Sequence, residues 1–120
     1  MRTTQRKGDY AVARAIAAFT KASMDVSLPL TESAAYDIVV DNNGCLYRVQ
    51  VRYVSGREVE LRRIHSNSRG YIVKKTNENA YDWLYILNSS DEEFLIKKCL
   101  SGRRSIRTQD IHKIENLLIA

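Results

Sequence analysis

An Asn43-Gly44 pair stands between two runs rich in β-branched residues, 36–41 and 45–54. This pair is typical of a two-residue type I′ turn, in which both turn residues need a positive φ. We therefore predict a β-hairpin with Asn43 and Gly44 at its tip. Pairing outward from that tip places Asp37 opposite Gln50.

Three polar residues of the predicted hairpin share one face of the sheet. Directly opposed residues of an antiparallel pair point to the same side, so Asp37 and Gln50 lie together. Arg52 joins them because side chains alternate along a strand. The opposite face of the second strand carries Val49, Val51 and Tyr53 and is predicted to belong to the core.

This polar group has two interpretations on spacing alone. In the first, Asp37 pairs with Arg52 while Gln50 lies on a solvated sheet face, as in many half-exposed antiparallel strands. In the second, Asp37 and Gln50 bind a hard divalent cation such as Mg²⁺, which prefers carboxylate, amide and carbonyl oxygens. A metal site beside a basic surface would suit phosphodiester hydrolysis.

The remaining patterns predict an α+β domain with a central mixed sheet flanked by an N-terminal and a C-terminal helix. Residues 8–22 have an apolar stripe at helical spacing, with Asp9 in the first turn. A closing amphipathic helix is expected from Thr108. Strands are predicted, besides the hairpin, at residues 24–30, 59–64, 71–75, 83–87 and 94–96.

Length and charge narrow the class of protein. The 120 residues predict a single domain spanning 1–120. The apolar runs are too short to cross a membrane, and no export signal is recognised, so the two cysteines are expected to be reduced. The net charge is +5, and residues 48–75 hold eight cations against two acids. That excess suits a polyanionic partner.

The order helix, Tyr36-Asp37, hairpin, Gln50-Val51-Arg52 resembles the PD-(D/E)XK nuclease core in its Asp…Gln-x-Lys form. Residues 7–54 are similar to group I intron-encoded homing endonucleases of the restriction-type fold. The segments that carry this similarity are Lys7-Gly8-Asp9, Leu28-Pro29-Leu30, Tyr36-Asp37-Ile38-Val39-Val40 and Tyr47-Arg48-Val49-Gln50-Val51. The resemblance implies a restriction-endonuclease-like core.

The resemblance also implies roles for individual residues. Asp37 would be the metal-binding acid, Gln50 the second side-chain ligand and the Val51 carbonyl a further ligand of Mg²⁺. Asp9 would be an acid that approaches the metal from the opening helix. Arg52 stands where the motif has Lys. Since guanidinium stays charged, Arg52 can hold a phosphate but cannot act as a base.

The basic stretch is the predicted contact surface for double-stranded DNA. Arg and Asn side chains can read bases, whereas Lys and Ser usually contact phosphates. The same stretch could be an ordinary solvated basic strand. The candidate DNA-binding residues are Lys7, Arg57, Arg62, Arg63, His65, Asn67, Arg69, Lys74 and Lys75.

The function expected from the residues and the resemblance is that of a Mg²⁺-dependent, site-specific DNA endonuclease that promotes intron mobility. Long target sites require symmetric association, so a dimer or a tetramer is expected. The expected location is the cytoplasm, close to the nucleoid. Two alternatives stay open: a structure-selective nuclease similar to Holliday-junction resolvases, and a noncatalytic DNA-binding protein that lost turnover through Arg52.

Overall fold

The computed structural model describes residues 3–56, 58–60, 63–67, 70–74, 80–100, 105–109 and 112–114. These residues form one long helix and nine strands. The elements are α1 (Thr4–Lys21), β1 (Asp25–Ser27), β2 (Ile38–Asn42), β3 (Cys45–Val54), β4 (Glu58–Glu60), β5 (Arg63–Asn67), β6 (Gly70–Lys74), β7 (Trp83–Asn88), β8 (Glu93–Ile96) and β9 (Ser105–Arg107).

Five strands form the central sheet in the order β1-β2-β3-β7-β8. β3 and β7 run parallel, whereas the other neighbours are antiparallel, so the sheet is mixed. Two short antiparallel pairs, β4-β9 and β5-β6, form separate ribbons. The α+β class, the mixed sheet and the N-terminal helix predicted from the sequence are confirmed.

The β2-β3 hairpin has the predicted register. Ile38 lies opposite Val49, and Asn42 lies opposite Cys45. Asn43 and Gly44 have φ values of 55° and 88°, as a type I′ turn requires. The backbone N–H of Gly44 also donates to Oδ1 of Asp41 at 2.8 Å. Local turn chemistry thus fixes which residues meet further along the hairpin.

Replacing Gly44 with Ala should destabilise the protein by about 1 kcal/mol, because a Cβ is disfavoured at positive φ. The measurement is the free energy of unfolding in urea. Gly8→Ala is the matched control: Gly8 lies within α1, and nothing is within 4 Å of an added Cβ. That substitution should stabilise by about 0.5–1 kcal/mol, and a loss of stability in both variants would contradict the turn argument.

The two faces of the central sheet pack against different elements. On the first face, the buried stripe of α1 (Ala11, Ala15 and Phe19) covers the inward residues of β2, β3 and β7. On the second face, Leu84 and Ile86 of β7 pack with Val59 of β4 and Ile106 of β9. The sheet is therefore covered on both sides near its centre. This cover determines how far Gln50 and Arg52 are buried.

Several boundaries differ from the sequence-based predictions. α1 begins at Thr4, where the Thr3 side chain caps the helix by accepting from the Arg6 N–H. Asp9 consequently lies in the second turn and not in the first. The predicted strand 59–64 is divided between β4 and β5, and β9 was not predicted. β4 and β9 pair with each other across more than 40 residues of sequence, which local patterns do not reveal.

The predicted closing helix falls mainly on residues 110–111 and 115–120, outside the described residues. In its described part, His112 donates its backbone N–H to the Gln109 carbonyl, and Lys113 forms a β-bridge with Phe94. His112 and Ile114 have 3₁₀ geometry beside β8, and the rest of the predicted helix lies outside the described residues. No helix of the described chain is long and apolar enough to cross a bilayer.

Candidate active site

Asp37 immediately precedes β2 and reaches across to β3. Its backbone N–H donates to the Val49 carbonyl at 2.9 Å, which extends the hairpin ladder by one bond. Its carboxylate oxygen Oδ2 accepts from the Val51 N–H at 2.7 Å. β2 begins only at Ile38, so the Asp37 side chain, and not a backbone carbonyl, accepts the hydrogen bond from the Val51 N–H. This bond fixes the carboxylate beside the Val51 backbone.

Gln50 and Arg52 occupy the second face of the sheet, opposite Leu84 and Ile86 in the parallel register. Gln50 is only 7% exposed. The interpretation in which Gln50 lies on a solvated face is therefore wrong. The second face is covered by β4 and β9, and burial of a polar amide there requires hydrogen-bond partners.

Arg52 supplies those partners. With the Gln50 amide turned so that donors and acceptors match, its Oε1 accepts from Nη2 of Arg52 at 2.6 Å and from Nη1 at 3.0 Å. Nη1 also donates to the Val51 carbonyl at 3.2 Å. Asp37 forms no ion pair with Arg52 in the described part of the chain. The simple Asp37–Arg52 pair considered from the sequence is thus wrong.

Tyr81 belongs to the buried cluster on the second face. Its hydroxyl is buried and accepts from the Leu100 N–H at 3.2 Å. Burial raises the pKa of Tyr81, and the nearby positive charge of Arg52 opposes part of that rise. The Tyr81 hydroxyl therefore stays protonated at neutral pH.

Asp82 is a supporting residue that the sequence reasoning missed. Its Oδ2 accepts from the Arg48 backbone N–H at 2.8 Å and from Arg48 Nε at 3.2 Å. Its own N–H donates to the Arg48 carbonyl at 2.8 Å. The Arg48 guanidinium lies 5.9 Å from the ring centroid of Tyr36, next to Asp37. The sequence signal that could have identified Asp82 is its position directly before the apolar run 83–87.

The Asp82–Arg48 contact should make stability depend on pH. Hydrogen bonding to Arg48 lowers the pKa of Asp82. A lowered folded-state pKa stabilises the protein above the unfolded value of about 3.9, and this contribution is lost as pH falls through the folded pKa. Because Asp82 is 39% exposed, we expect Asp82→Asn to cost only about 0.5–1 kcal/mol at neutral pH.

The free energy of unfolding, measured from pH 7 to pH 3, checks this expectation. The difference between the native chain and Asp82→Asn should shrink towards acid. Asp25→Asn, at an exposed position of β1, is the control for loss of a carboxylate. If the difference in free energy of unfolding between the native chain and Asp82→Asn stays constant with pH, the assigned contact is wrong.

An open cavity of about 260 Å³ borders Asp37. The loop that follows β1 forms its wall, with Leu30 fully exposed at 99% and Leu28 at 64%. The cavity is lined by Leu28, Pro29, Leu30, Thr31, Glu32, Ala34, Tyr36 and Asp37. Asp37 is half-buried and forms part of the cavity lining.

The donor set fits a hard divalent cation. Oδ1 of Asp37 has no hydrogen-bond partner among the described residues, and Gln50 Oε1 and the Val51 carbonyl are neutral oxygens on the adjoining strand. Carboxylate, amide and carbonyl oxygens are the ligands that Mg²⁺ accepts. No group of three or more His, Cys, Asp or Glu side chains converges within the described ranges. One acid and two neutral oxygens are thus the available ligands.

Asp9 is not joined to these residues. It is exposed on α1, which covers the first face of the sheet, whereas Gln50 and Arg52 lie on the second. No hydrogen bond or ion pair connects Asp9 to the site in the part of the chain that is described. Lys7, also on α1, places Nζ 5.8 Å from the ring centroid of Tyr53.

Four of the other candidate DNA-binding residues, Arg63, His65, Asn67 and Lys74, belong to the β5-β6 ribbon. Arg63 lies opposite Lys74, while His65 lies opposite Ile72 and Asn67 opposite Gly70. Arg63, His65 and Asn67 thus occupy alternate positions of one strand. The remaining candidates, Arg57, Arg62, Arg69 and Lys75, lie outside the described residues.

The aromatic cluster around β7 is part of the core. Tyr81, Trp83 and Tyr85 are at most 5% exposed. Trp83 stacks on Tyr47 with ring centroids 4.3 Å apart and lies 6.0 Å from the Phe19 ring. Packing, and not stacking on nucleic-acid bases, accounts for these residues. Neither Cys45 nor Cys99 forms a disulfide.

The mixed sheet, with an acid before one strand and a Gln-x-Arg segment on the next, defines a nuclease-type fold. Residues 2–108 match the family model of the PD-(D/E)XK endonucleases, and the chain belongs to this family. Nucleases of this family act on DNA and generally use divalent metal ions.

The chain is similar to a solved structure, the bacterial homing endonuclease I-Ssp6803I. The two share 25% sequence identity with a TM-score of 0.76, and the match covers 90% of this chain and 79% of the other. A search of curated proteins found no significant match. The chain is therefore a PD-(D/E)XK nuclease related to homing endonucleases.

Proposed function

We propose that this chain, with residues 1–120 forming one nuclease domain, is a site-specific endonuclease that makes double-strand breaks in DNA and promotes intron mobility. The observation that carries the proposal is the Asp37 carboxylate, which is held beside the Val51 backbone by a 2.7 Å hydrogen bond in a residue that borders a cavity. The similarity to a homing endonuclease over most of the chain supports the biological role.

In the proposed site, Asp37, Gln50 and the Val51 carbonyl would hold Mg²⁺. When bound, a divalent cation supplies Lewis-acid polarisation of a phosphoryl oxygen. Asp37 would provide the negative charge of the ligand set, while the backbone bond from Val51 keeps its carboxylate oriented. Gln50 would add a neutral ligand whose burial restricts its movement.

Arg52 would contribute positive charge and not proton abstraction. Its guanidinium can donate two parallel hydrogen bonds to phosphate oxygens and stabilise the charge that develops there. Because guanidinium keeps its proton at working pH, it cannot generate the attacking hydroxide. We therefore expect slower cleavage than in a chain with Lys at this position.

The β5-β6 ribbon would provide sequence recognition. A two-stranded antiparallel ribbon fits the major groove of B-DNA, where base pairs have distinct patterns of donors and acceptors. Arg63, His65 and Asn67 are spaced two residues apart, and Lys74 opposes Arg63. One ribbon spans few base pairs, so we propose a homodimer or a tetramer of dimers.

Plasmid cleavage tests the proposed activity. A supercoiled plasmid carrying a candidate intron insertion site should yield one linear product of defined ends with Mg²⁺, and no product with EDTA. Cutting only at an extruded cruciform would instead indicate a junction-resolving nuclease. Sedimentation of the protein should give a mass of at least two chains.

A noncatalytic DNA-binding protein is the second candidate, because Arg52 already occupies the oxygens of Gln50 and Val51. It predicts a salt-dependent gel shift without cutting at any Mg²⁺ concentration. Counterion release should make the affinity for DNA fall steeply with salt in either case. Loss of the gel shift itself would contradict both candidates.

A further inference from the structure

The Arg52 guanidinium contacts the two neutral oxygens that the proposed metal site needs. Gln50 Oε1 accepts two hydrogen bonds from it, at 2.6 and 3.0 Å, and the Val51 carbonyl accepts a third at 3.2 Å. These are charge-assisted bonds from a planar cation to hard oxygens. The same oxygens are attractive to a divalent cation for the same electrostatic reason.

We infer that Arg52 and a divalent cation are alternative occupants of these oxygens, so that Arg52 must move away before metal binds. This inference rests on the metal site assigned under the proposed function. Two effects oppose simultaneous occupancy. The amide oxygen of Gln50 has already satisfied its lone pairs with Arg52, and two cations on neighbouring oxygens repel each other.

The burial of Gln50 strengthens the competition. At 7% exposure, its amide is largely shielded from water, so a bond broken with Arg52 is not readily replaced by solvent. Arg52 is less buried than Gln50 and has a long, flexible stem. Rotation about this stem would move the guanidinium while the oxygens of β3 stay in place.

DNA would change the balance between the two occupants. A phosphodiester offers Arg52 anionic oxygens with which guanidinium forms bidentate bonds. Transfer of Arg52 to a phosphate would leave Gln50 Oε1 and the Val51 carbonyl available to metal. Metal and DNA would then bind with positive coupling, and the coupling would be reciprocal. The chain would load metal mainly when a phosphate is present.

Binding of Mn²⁺, followed by the electron paramagnetic resonance signal of free Mn²⁺, tests the inference without any cleavage assay. Without DNA, Arg52→Met should bind Mn²⁺ about tenfold more tightly than the native chain, the effect of one charge-assisted hydrogen bond. Arg52→Lys keeps the charge but lacks the planar fork, so its affinity should be intermediate. Adding a short random-sequence duplex should raise the affinity of the native chain more than that of Arg52→Met.

Arg48→Met is the matched charge control. Arg48 lies two residues before Gln50 on the same face of β3, as Arg52 lies two residues after it, and its side chain pairs with Asp82. This variant should leave the affinity for Mn²⁺ within about twofold of the native value. An increase equal to that of Arg52→Met would overturn the inference, because any lost positive charge would then suffice.

The remaining outcomes separate the inference from the proposed function. If Asp37→Asn removes Mn²⁺ binding but Arg52→Met and Arg52→Lys bind no more tightly than the native chain, the metal site stands and the competition is wrong. If no variant shows binding that depends on Asp37, the metal site itself fails, and the inference fails with it. Thermal melting confirms that each variant is folded.

Discussion

Asp37→Asn should reduce Mg²⁺-dependent DNA cleavage by at least about 100-fold. Loss of residues that merely support a metal ligand typically costs about 10- to 100-fold in affinity or activity, and Asp37 is the acid among the candidate ligands. Asn keeps the size of the side chain, and its carbonyl oxygen can still accept from the Val51 N–H. The substitution therefore removes the charge while it preserves the 2.7 Å contact that positions the residue. Initial rates of plasmid linearisation measure the effect.

Asp41→Asn provides the control for this prediction. Asp41 lies on the same hairpin, and its Oδ1 also accepts a backbone N–H, from Gly44 at 2.8 Å. The same change of charge and chemistry is thus made away from the proposed ligands. We expect cleavage within about twofold of the native rate, as for most substitutions away from special features. If Asp37→Asn cleaves DNA as fast as Asp41→Asn, the candidate site is incorrect.

The hairpin could be predicted in detail because its determinants are local. Asn43 and Gly44 set the turn, the turn sets the register, and the register brings Asp37 to the level of Gln50. None of these steps requires knowledge of the rest of the chain. The same reasoning correctly placed Val49 and Val51 in the core, while Tyr53 is only partly buried against it.

The environment of Gln50 could not be predicted from local patterns. Val59 and Ile106, from strands that are far apart in sequence, pack on the second face of the sheet, to which Gln50 also belongs. Alternation along β3 shows which residues share a face, but not whether that face meets water or another layer. The bond from Arg52 to Gln50 follows from this burial, since a buried amide requires a partner.

The role of Asp82 was hidden for a different reason. Asp82 directly precedes β7, whereas its partner Arg48 belongs to β3. These two strands are parallel neighbours that a long connection joins. Parallel pairing has no turn signal comparable to Asn-Gly. Sequence reasoning therefore located the acid and amide of one hairpin, but it missed the contact that joins β7 to the Tyr36–Asp37 segment.

Arg52→Lys should raise the rate of DNA cleavage by about 10- to 100-fold at saturating Mg²⁺. A positioned general base typically contributes about 10²–10⁴-fold, and Lys can lose its proton when burial lowers its pKa, whereas Arg cannot. Lys is also unable to hold the Gln50 and Val51 oxygens with a planar fork. Both effects act in the same direction.

The pH profile distinguishes a new base from simple relief of competition. If the introduced lysine acts as a base, the rate of Arg52→Lys should rise with pH until the ammonium is deprotonated, and the native chain should lack that rise. Arg48→Lys makes the same exchange on the same face of β3 and should not accelerate cleavage. An Arg52→Lys rate at or below the native rate would show that guanidinium is the better group at this position. Arg52 would then stabilise the transition state directly, through its charge on the phosphate.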